Sequence, residues 1–248
     1  MVKVLSLFAF WFLCPLWAGV HEIQSLKEVL PYVTPETFLI FDLDNTLMEP
    51  TQSFGSDQWF EAKVAQKRKQ GMSEEEAVPE ILKTWVRIQK VTLVRPVEEI
   101  TALVFAQARS HAKMVMALTA RPVDLAETTG AQLKGMGIDF STSAPVPTPM
   151  EMNVQNGRST YRRGIFFLGE NKNKGIGLLR FLEETKLQPK RIVFVDDKER
   201  HVKALEASLK DSKIAYEGLR YAGADAHVKA FRMDVAEEEA KRFGDLIK

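Results

Sequence analysis

The chain has 248 residues, of which 45% are hydrophobic and 27% charged, with 34 Lys and Arg against 33 Asp and Glu. That is enough chain for one sizeable core carrying an insertion. The near-neutral balance, with no long block of one sign, gives no basis for a nucleic-acid or anionic-membrane surface, so any phosphate affinity has to be local.

The first segment differs from the rest. Met1, Val2 and Lys3 precede an uncharged stretch over 4–20 that stops at His21 and Glu22. A short basic start before an apolar centre is the pattern of a secretory signal, assigned to 1–19. The mature protein is therefore expected to be exported, periplasmic or secreted, with no membrane part. Of Leu16, Trp17 and Ala18, only Ala18 meets the small-residue preference at a cleavage site. An uncleaved anchor is the alternative, on a run shorter than the roughly 20 residues of a spanning helix. A lipoprotein reading of Cys14 is weaker, because Leu13 precedes it. Cys14 is the single cysteine, so a mature chain lacking it has no disulfide and no thiol metal site.

A linking helix is expected around 23–30. Four short apolar runs then read as buried strands: TFLIF (37–41), KMVMAL (113–118), RIVFV (191–195) and KIAYEGL (213–219). Long segments with helical periodicity separate the first three, which predicts an α/β protein with a parallel sheet covered on both faces. A helix is predicted over 95–111, with Pro96 near its first turn. Others follow over 121–137, 173–186 and 198–210. Two stretches remain. Residues 48–95 hold two candidate helices, 56–71 and 73–90, the second opened by Ser73 and Glu76 at capping-box spacing and interrupted by Pro79; they read as a helical cap inserted after the first strand. Residues 141–170 read as a hairpin insertion, with Asn156 and Gly157 at its turn.

The chemistry lies at the strand ends. Side chains alternate along a strand, so Asp42 and Asp44 share a direction if the strand geometry continues past Phe41, at the carboxyl end of the sheet where open α/β proteins bind ligands. Asp, Asn and Thr are also ordinary turn residues, so DLDNT alone does not decide between a turn and a site. The second strand ends in Thr119, Ala120 and Arg121, which offer a hydroxyl, backbone amides and a guanidinium to a phosphate; a helix cap is the local alternative for Thr119. The third ends in Asp196 and Asp197, again either a site or a cap. Lys174 lies in the helix expected over 173–186 and alone is one more solvated lysine. It is the coincidence of all four, in this order, that points to a site.

The series Asp42-Leu43-Asp44-Asn45-Thr46, Thr119, Lys174 and Asp196-Asp197 resembles the four motifs of the haloacid dehalogenase superfamily, over about 34–219. The second aspartate of the first motif resembles its phosphatases rather than its dehalogenases. An exported chain with a helical insertion and TARP after the second strand is similar to a poorly characterised set of exported bacterial proteins of that superfamily. The resemblance implies a three-layer, Rossmann-like sheet and a phosphomonoester hydrolase. Asp42 would be its nucleophile and Asp44 its general acid and base, with Thr119, Ala120, Arg121 and Lys174 on the phosphoryl group.

Three carboxylates converging on one pocket repel one another and call for a cation, and a hard divalent ion such as Mg²⁺ suits oxygen ligands. Asp42, Asp196, Asp197 and, through its backbone carbonyl by resemblance, Asp44 form the expected metal set. The expected partner is a phosphorylated substrate, read as a small molecule. Specificity would fall to the cap, where Trp59, Phe60, Trp85 and Arg87 are candidates beside Arg121; His201 is assigned no role. The competing readings are a phosphotransferase and an exported binding protein that kept the scaffold without turnover.

Overall fold

The computed structural model describes residues 19–169 and 173–244. The leader assigned to 1–19 therefore lies outside the described residues, apart from Gly19.

Gly19 opens a strand that sequence reading missed. In chain order the elements are β1 (Gly19–Ile23), a 3-10 turn (Leu26–Tyr32), β2 (Thr37–Phe41), β3 (Met48–Pro50), α1 (Asp57–Lys69), α2 (Glu74–Gln89), β4 (Val94–Pro96), α3 (Thr101–His111) and β5 (Met114–Thr119). There follow α4 (Ala126–Gly135), β6 (Met150–Val154), β7 (Gly157–Arg162), β8 (Ile165–Phe167), α5 (Lys174–Thr185), β9 (Arg191–Asp196), α6 (Glu199–Leu209), β10 (Ala215–Tyr221), α7 (Asp225–Lys229) and α8 (Met233–Phe243).

The protein is α/β. Its main sheet runs in the order β1-β10-β9-β2-β5-β8-β7-β6. The first six of these strands are parallel, and β7 and β6 continue the sheet as antiparallel partners. Alternation along the central strands sorts their side chains to two faces. Leu39, Phe41, Val115, Ala117, Val193 and Val195 join one core with Val104, Phe105 and Ala108 of α3 and Leu133 of α4. Phe38, Ile40, Met116, Leu118, Ile192 and Phe194 join the other with Leu178 and Phe181 of α5 and Val202 and Leu205 of α6. Helices thus cover both faces, which is why all five residues of β2 are buried.

Four expectations are corrected. The linking helix at 23–30 is a 3-10 turn starting at Leu26, closed by a Ser25–Glu28 capping box, and Ile23 ends β1. Pro96 lies in β4, not in a first helical turn: β3 and β4 pair antiparallel as Met48↔Pro96, Glu49↔Arg95 and Pro50↔Val94, and the helix begins only at Thr101. A proline without an N–H is accommodated at the margin of such a two-stranded ribbon. The hairpin turn sits one residue earlier than predicted, on Gln155 and Asn156, with φ of 48° and 60°, the pair of left-handed residues that a type I′ turn requires. That hairpin also widens the main sheet instead of standing apart from it.

The β3–β4 ribbon is the stalk of the inserted helices. Ser73 accepts from the Glu76 N–H while the Glu76 carboxylate accepts from the Ser73 N–H, as the spacing predicted, and Pro79 is tolerated inside α2. Beyond the predicted elements, α8 lays Ala236 against Phe54, Trp59, Ile81, Trp85 and Ile88. The Phe54 N–H donates to Glu239 Oε2 at 2.7 Å. The cap is thereby held from its outer side by the end of the chain.

Candidate functional site

β2 lies at the centre of the sheet, with β5 on one side and β9 on the other. The chain builds outward on the β5 side and then crosses to β9, so the carboxyl ends of β2 and β9 flank the reversal of direction at which open α/β sheets hold ligands.

Past Phe41, the Asp42 N–H donates to Val195 O at 2.8 Å and carries the pairing with β9 one residue further. Asn45 then takes φ of 56°, the left-handed region that asparagine tolerates well, and its N–H donates to Met48 O at 2.8 Å. The reversal brings Thr46 Oγ1 to accept from the Asp197 N–H at 3.1 Å. The motif after β2 is therefore locked to the motif after β9.

Lys174 comes in from the other face as the first residue of α5, where Asn173 caps the Ile176 N–H at 3.1 Å. At Gly175 a Cβ would lie 2.3 Å from Ala204 O and 2.3 Å from Ser208 Oγ, so only glycine lets α5 lie this close to α6. The Lys174 ammonium, fully buried, stands 2.6 Å from Asp42 Oδ1 and 2.7 Å from Asp196 Oδ2. Asp196 Oδ1 also accepts from the Lys198 N–H at 2.8 Å, and His201 Nδ1 is 3.0 Å from both Asp196 oxygens.

Asp42, Asp196 and Asp197 are all buried, and each brings one oxygen to within 4.8 Å of the others. Among the described residues Asp197 Oδ1 is the one buried carboxylate oxygen with no hydrogen-bond partner. The charges are correspondingly strained. Burial, against Lys174 and reinforced by Asp196, pushes the Asp42 carboxyl up to about 7. Burial, with Asp196 and Asp42 beside it, holds Asp197 well above the ordinary carboxyl value. Burial also works against Asp196, but Lys174 and His201 outweigh it and hold that carboxyl low. For Lys174 burial opposes the charge, and Asp196 and Asp42 overcome it, so the ammonium is retained. His201 is lowered by its burial and by Lys174.

Of the residues named from sequence, Asp42, Lys174, Asp196 and Asp197 form this one cluster. Thr119 lies buried at the end of β5, where its Oγ1 accepts from the Arg121 N–H at 3.1 Å. Ala120 lines a cleft of about 610 Å³ between cap and sheet, together with Asp44, Lys174, His201, Phe60 and Trp85. Trp59 instead packs into the cap core against Phe54, and Arg87 is exposed and outside the cleft lining. Asp44 and Arg121 pair with each other: Arg121 Nε donates to Asp44 Oδ2 at 2.8 Å and Nη2 to Oδ1 at 2.7 Å.

Sequence reading did not assign His201 its contact with Asp196. Nor did it find Gln89, Thr129 and Gln132, all of which touch Arg121, or Asp57 of α1, which reaches across to Lys198 at 2.7 Å. Glutamine and threonine in helices carry no local signal of this use, and His201 meets Asp196 only because α6 packs back over the end of β9.

Fold and site together define an α/β protein with a buried carboxylate and lysine cluster where its parallel sheet reverses direction. The chain belongs to the family described as "Protein of unknown function (DUF2608)", which it matches over residues 21–248. It is 27% identical over 217 residues to a "Putative outer membrane protein" of Chlamydia trachomatis serovar D, covering 88% of this chain and 80% of that protein. A protein of the same description from Chlamydia pneumoniae is 28% identical over 220 residues, covering 87% and 82%. One from Chlamydia muridarum is 25% identical over 242 residues, covering 93% and 89%. Among the described residues no helix is long and apolar enough to cross a membrane.

Proposed function

We propose that the protein is an exported, Mg²⁺-dependent phosphomonoester hydrolase and a divergent member of the haloacid dehalogenase superfamily. The observation that carries the reading is a buried cluster of three carboxylates, of which Asp42 and Asp196 pair with the ammonium of Lys174 while one Asp197 oxygen lacks any hydrogen-bond partner. A buried unpaired carboxylate is costly. That donor set, all hard oxygens, fits Mg²⁺, which binds through a few carboxylates and leaves positions for water and phosphate.

Asp42, Asp196, Asp197 and the Asp44 carbonyl would hold the ion. Bound there, it would neutralise the excess negative charge and draw in a phosphate. The reaction itself is carried by side chains. An Asp42 oxygen attacks phosphorus, and the bond to the leaving alcohol oxygen breaks as Asp44 supplies its proton. Asp44 then takes a proton from water, which attacks the aspartyl-phosphate, releasing inorganic phosphate and restoring Asp42. Lys174 holds the Asp42 carboxylate in line and balances charge on the phosphoryl oxygens, as do Thr119 and the amides after β5. His201 fixes the orientation of Asp196. The cleft volume of about 610 Å³ is of the size that encloses small ligands, which supports a small-molecule ester. The names of the Chlamydia relatives support export, in keeping with the apolar leader.

The test is hydrolysis of an aryl phosphate and a panel of phosphomonoesters, with Mg²⁺, with chelator, and with Asp42→Asn. Metal-dependent turnover lost in the variant is expected. A folded protein that binds Mg²⁺ yet turns over no ester would overturn the reading.

A further inference from the structure

Arg121 ends the strand from which the phosphoryl contacts come, and an arginine there suggests an anion ligand. Its hydrogen bonds say otherwise. The guanidinium has five N–H donors. Nε goes to Asp44 Oδ2 at 2.8 Å; one Nη2 hydrogen goes to Asp44 Oδ1 at 2.7 Å and the other to Gln89 Oε1 at 3.1 Å; Nη1 goes to Thr129 Oγ1 at 3.2 Å and Gln132 Oε1 at 2.8 Å. That is five bonds to protein for five donors. The side chain is 1% exposed, and its guanidinium carbon lies 5.6 Å from the centre of the Trp85 ring. A phosphate could reach an N–H only by displacing one of these acceptors, two of which, Gln89 and Thr129, are fully buried, and leaving it unpaired is costly.

The partners fall into two groups. Thr129 and Gln132 belong to α4, packed on the sheet, whereas Gln89 and Trp85 belong to cap helix α2. Gln89 Nε2 and Trp85 Nε1 both donate to Gly55 O, at 2.6 and 2.9 Å, in the segment that leads from β3 into α1. Gln132 Nε2 reaches back to Thr92 O at 3.0 Å, where the cap returns to its stalk. A continuous path therefore runs from Gly55 through Gln89 and Arg121 to both oxygens of Asp44.

We infer that Arg121 is a positioning residue that sets the place of Asp44 according to the seating of the cap, and that it does not bind the phosphoryl group. The inference rests on the reading of Asp44 as acid and base. A correctly seated α2 presents Gln89 to Arg121, and the bidentate fork then orients the Asp44 carboxyl in the cleft. Displacing α2 removes one acceptor and lets the fork, and Asp44 with it, shift. Geometry of this kind is worth a large factor in rate, since a misplacement near 1 Å costs on the order of 100-fold.

The experiment measures kcat, KM and inhibition by inorganic phosphate on an aryl phosphate for the wild type, Arg121→Lys, Gln89→Ala and the double variant. Denaturant midpoints are recorded for the same proteins, for Asp44→Asn, and for Asp44→Asn combined with Gln89→Ala. The expected result is a kcat lowered by roughly 10- to 100-fold in Arg121→Lys, with KM and phosphate inhibition within about twofold of the wild type, because an interaction that only positions the acid leaves ground-state binding alone. Gln89→Ala, on the cap, should lower kcat in the same way, and the double variant should be no worse than Arg121→Lys, since both act through one path. A loss of KM and of phosphate inhibition by tenfold or more in Arg121→Lys, with Gln89→Ala unaffected, would make Arg121 a phosphate ligand and overturn the inference. So would a lowered midpoint with kcat unchanged. A wild type that is inactive, while the Asp44→Asn and Gln89→Ala midpoint losses fail to add, would sink the proposed function and leave the structural path standing; an active wild type in which those losses add would sink the path alone.

Discussion

The two ends of the main sheet both bury acids, and they handle them in opposite ways. In the amino-terminal half of β10, Glu217 sits between two bases: His21 Nε2 of β1 at 3.2 Å and Arg191 Nη2 of β9 at 3.2 Å. At the carboxyl ends of β2 and β9, Asp42 and Asp196 share Lys174, and Asp197 lies beside them with one oxygen lacking a partner. The first arrangement sets one acid between two basic side chains, and its effect is architectural, since it links β1, β10 and β9. The second holds more acids than the lysine pairs with, the imbalance on which the proposed cation site rests. Balance within a buried cluster thus separates an ion pair that holds the fold from the cluster proposed above as a cation site.

The largest effect should follow from removing the lysine. Lys174→Met leaves the buried acids without their cation and is expected to cost about 3–5 kcal/mol of stability, the usual penalty for breaking a buried pair. Thermal unfolding in chelator measures it. Mg²⁺ should restore part of the loss, because a cation held by Asp42, Asp196 and Asp197 replaces some of the absent charge; no recovery would mean that the acids do not form a cation site.

Next in size is the response of the unaltered protein to the ion. At a Mg²⁺ concentration about 100 times its dissociation constant, stability should rise by about 2.7 kcal/mol. Asp197→Asn, which removes a charge at the oxygen that lacks a partner, should blunt the rise. Equal responses in both proteins would place the ion elsewhere.

The opposite end of the sheet should give the smallest effect and one blind to Mg²⁺. Burial raises the Glu217 carboxyl above its ordinary value, against the pull of Arg191 and His21. In the interval between the unfolded and folded values the native state holds the extra proton, so this contribution is present at low pH and is lost as pH rises through the folded value. Glu217→Gln removes that dependence. Denaturant unfolding at pH 4 and pH 7 should show the wild type losing more stability across the interval than the variant. A variant with the same slope as the wild type would show that Glu217 is not the group responsible.

Much of this arrangement was legible in the chain. TFLIF, VMAL and IVFV announce buried parallel strands because every residue in them is buried on one face of the sheet or the other, and Ser73 with Glu76 announces the start of α2 because both halves of a capping box lie within one turn. The acids following β2 and β9 were visible for the same local reason: charged residues placed directly after a buried run. β1 escaped notice. Its five residues, GVHEI, include an exposed acid, Glu22, and a half-buried histidine, His21, whose partner Glu217 stands 196 residues away. Helix α8 went unassigned too, although it supplies the outer support of the cap.

What the sequence determined by itself is a set of local states: the central buried strands, the start of α2, and the acids that stand at strand ends. Those follow from periodicity and from hydrogen bonds closed within a few residues, so they can be read without knowing the rest of the chain. Only the tertiary structure decided the pairings. Lys174 could have faced solvent and lies instead between Asp42 and Asp196; Arg121 could have faced a ligand and instead places all five donors on Asp44, Gln89, Thr129 and Gln132. A long cationic side chain carries no mark of its partner in its own neighbourhood. The choice among 33 acidic residues is made by how helices and strands pack, which brings residues 77 positions apart, Asp44 and Arg121, into contact.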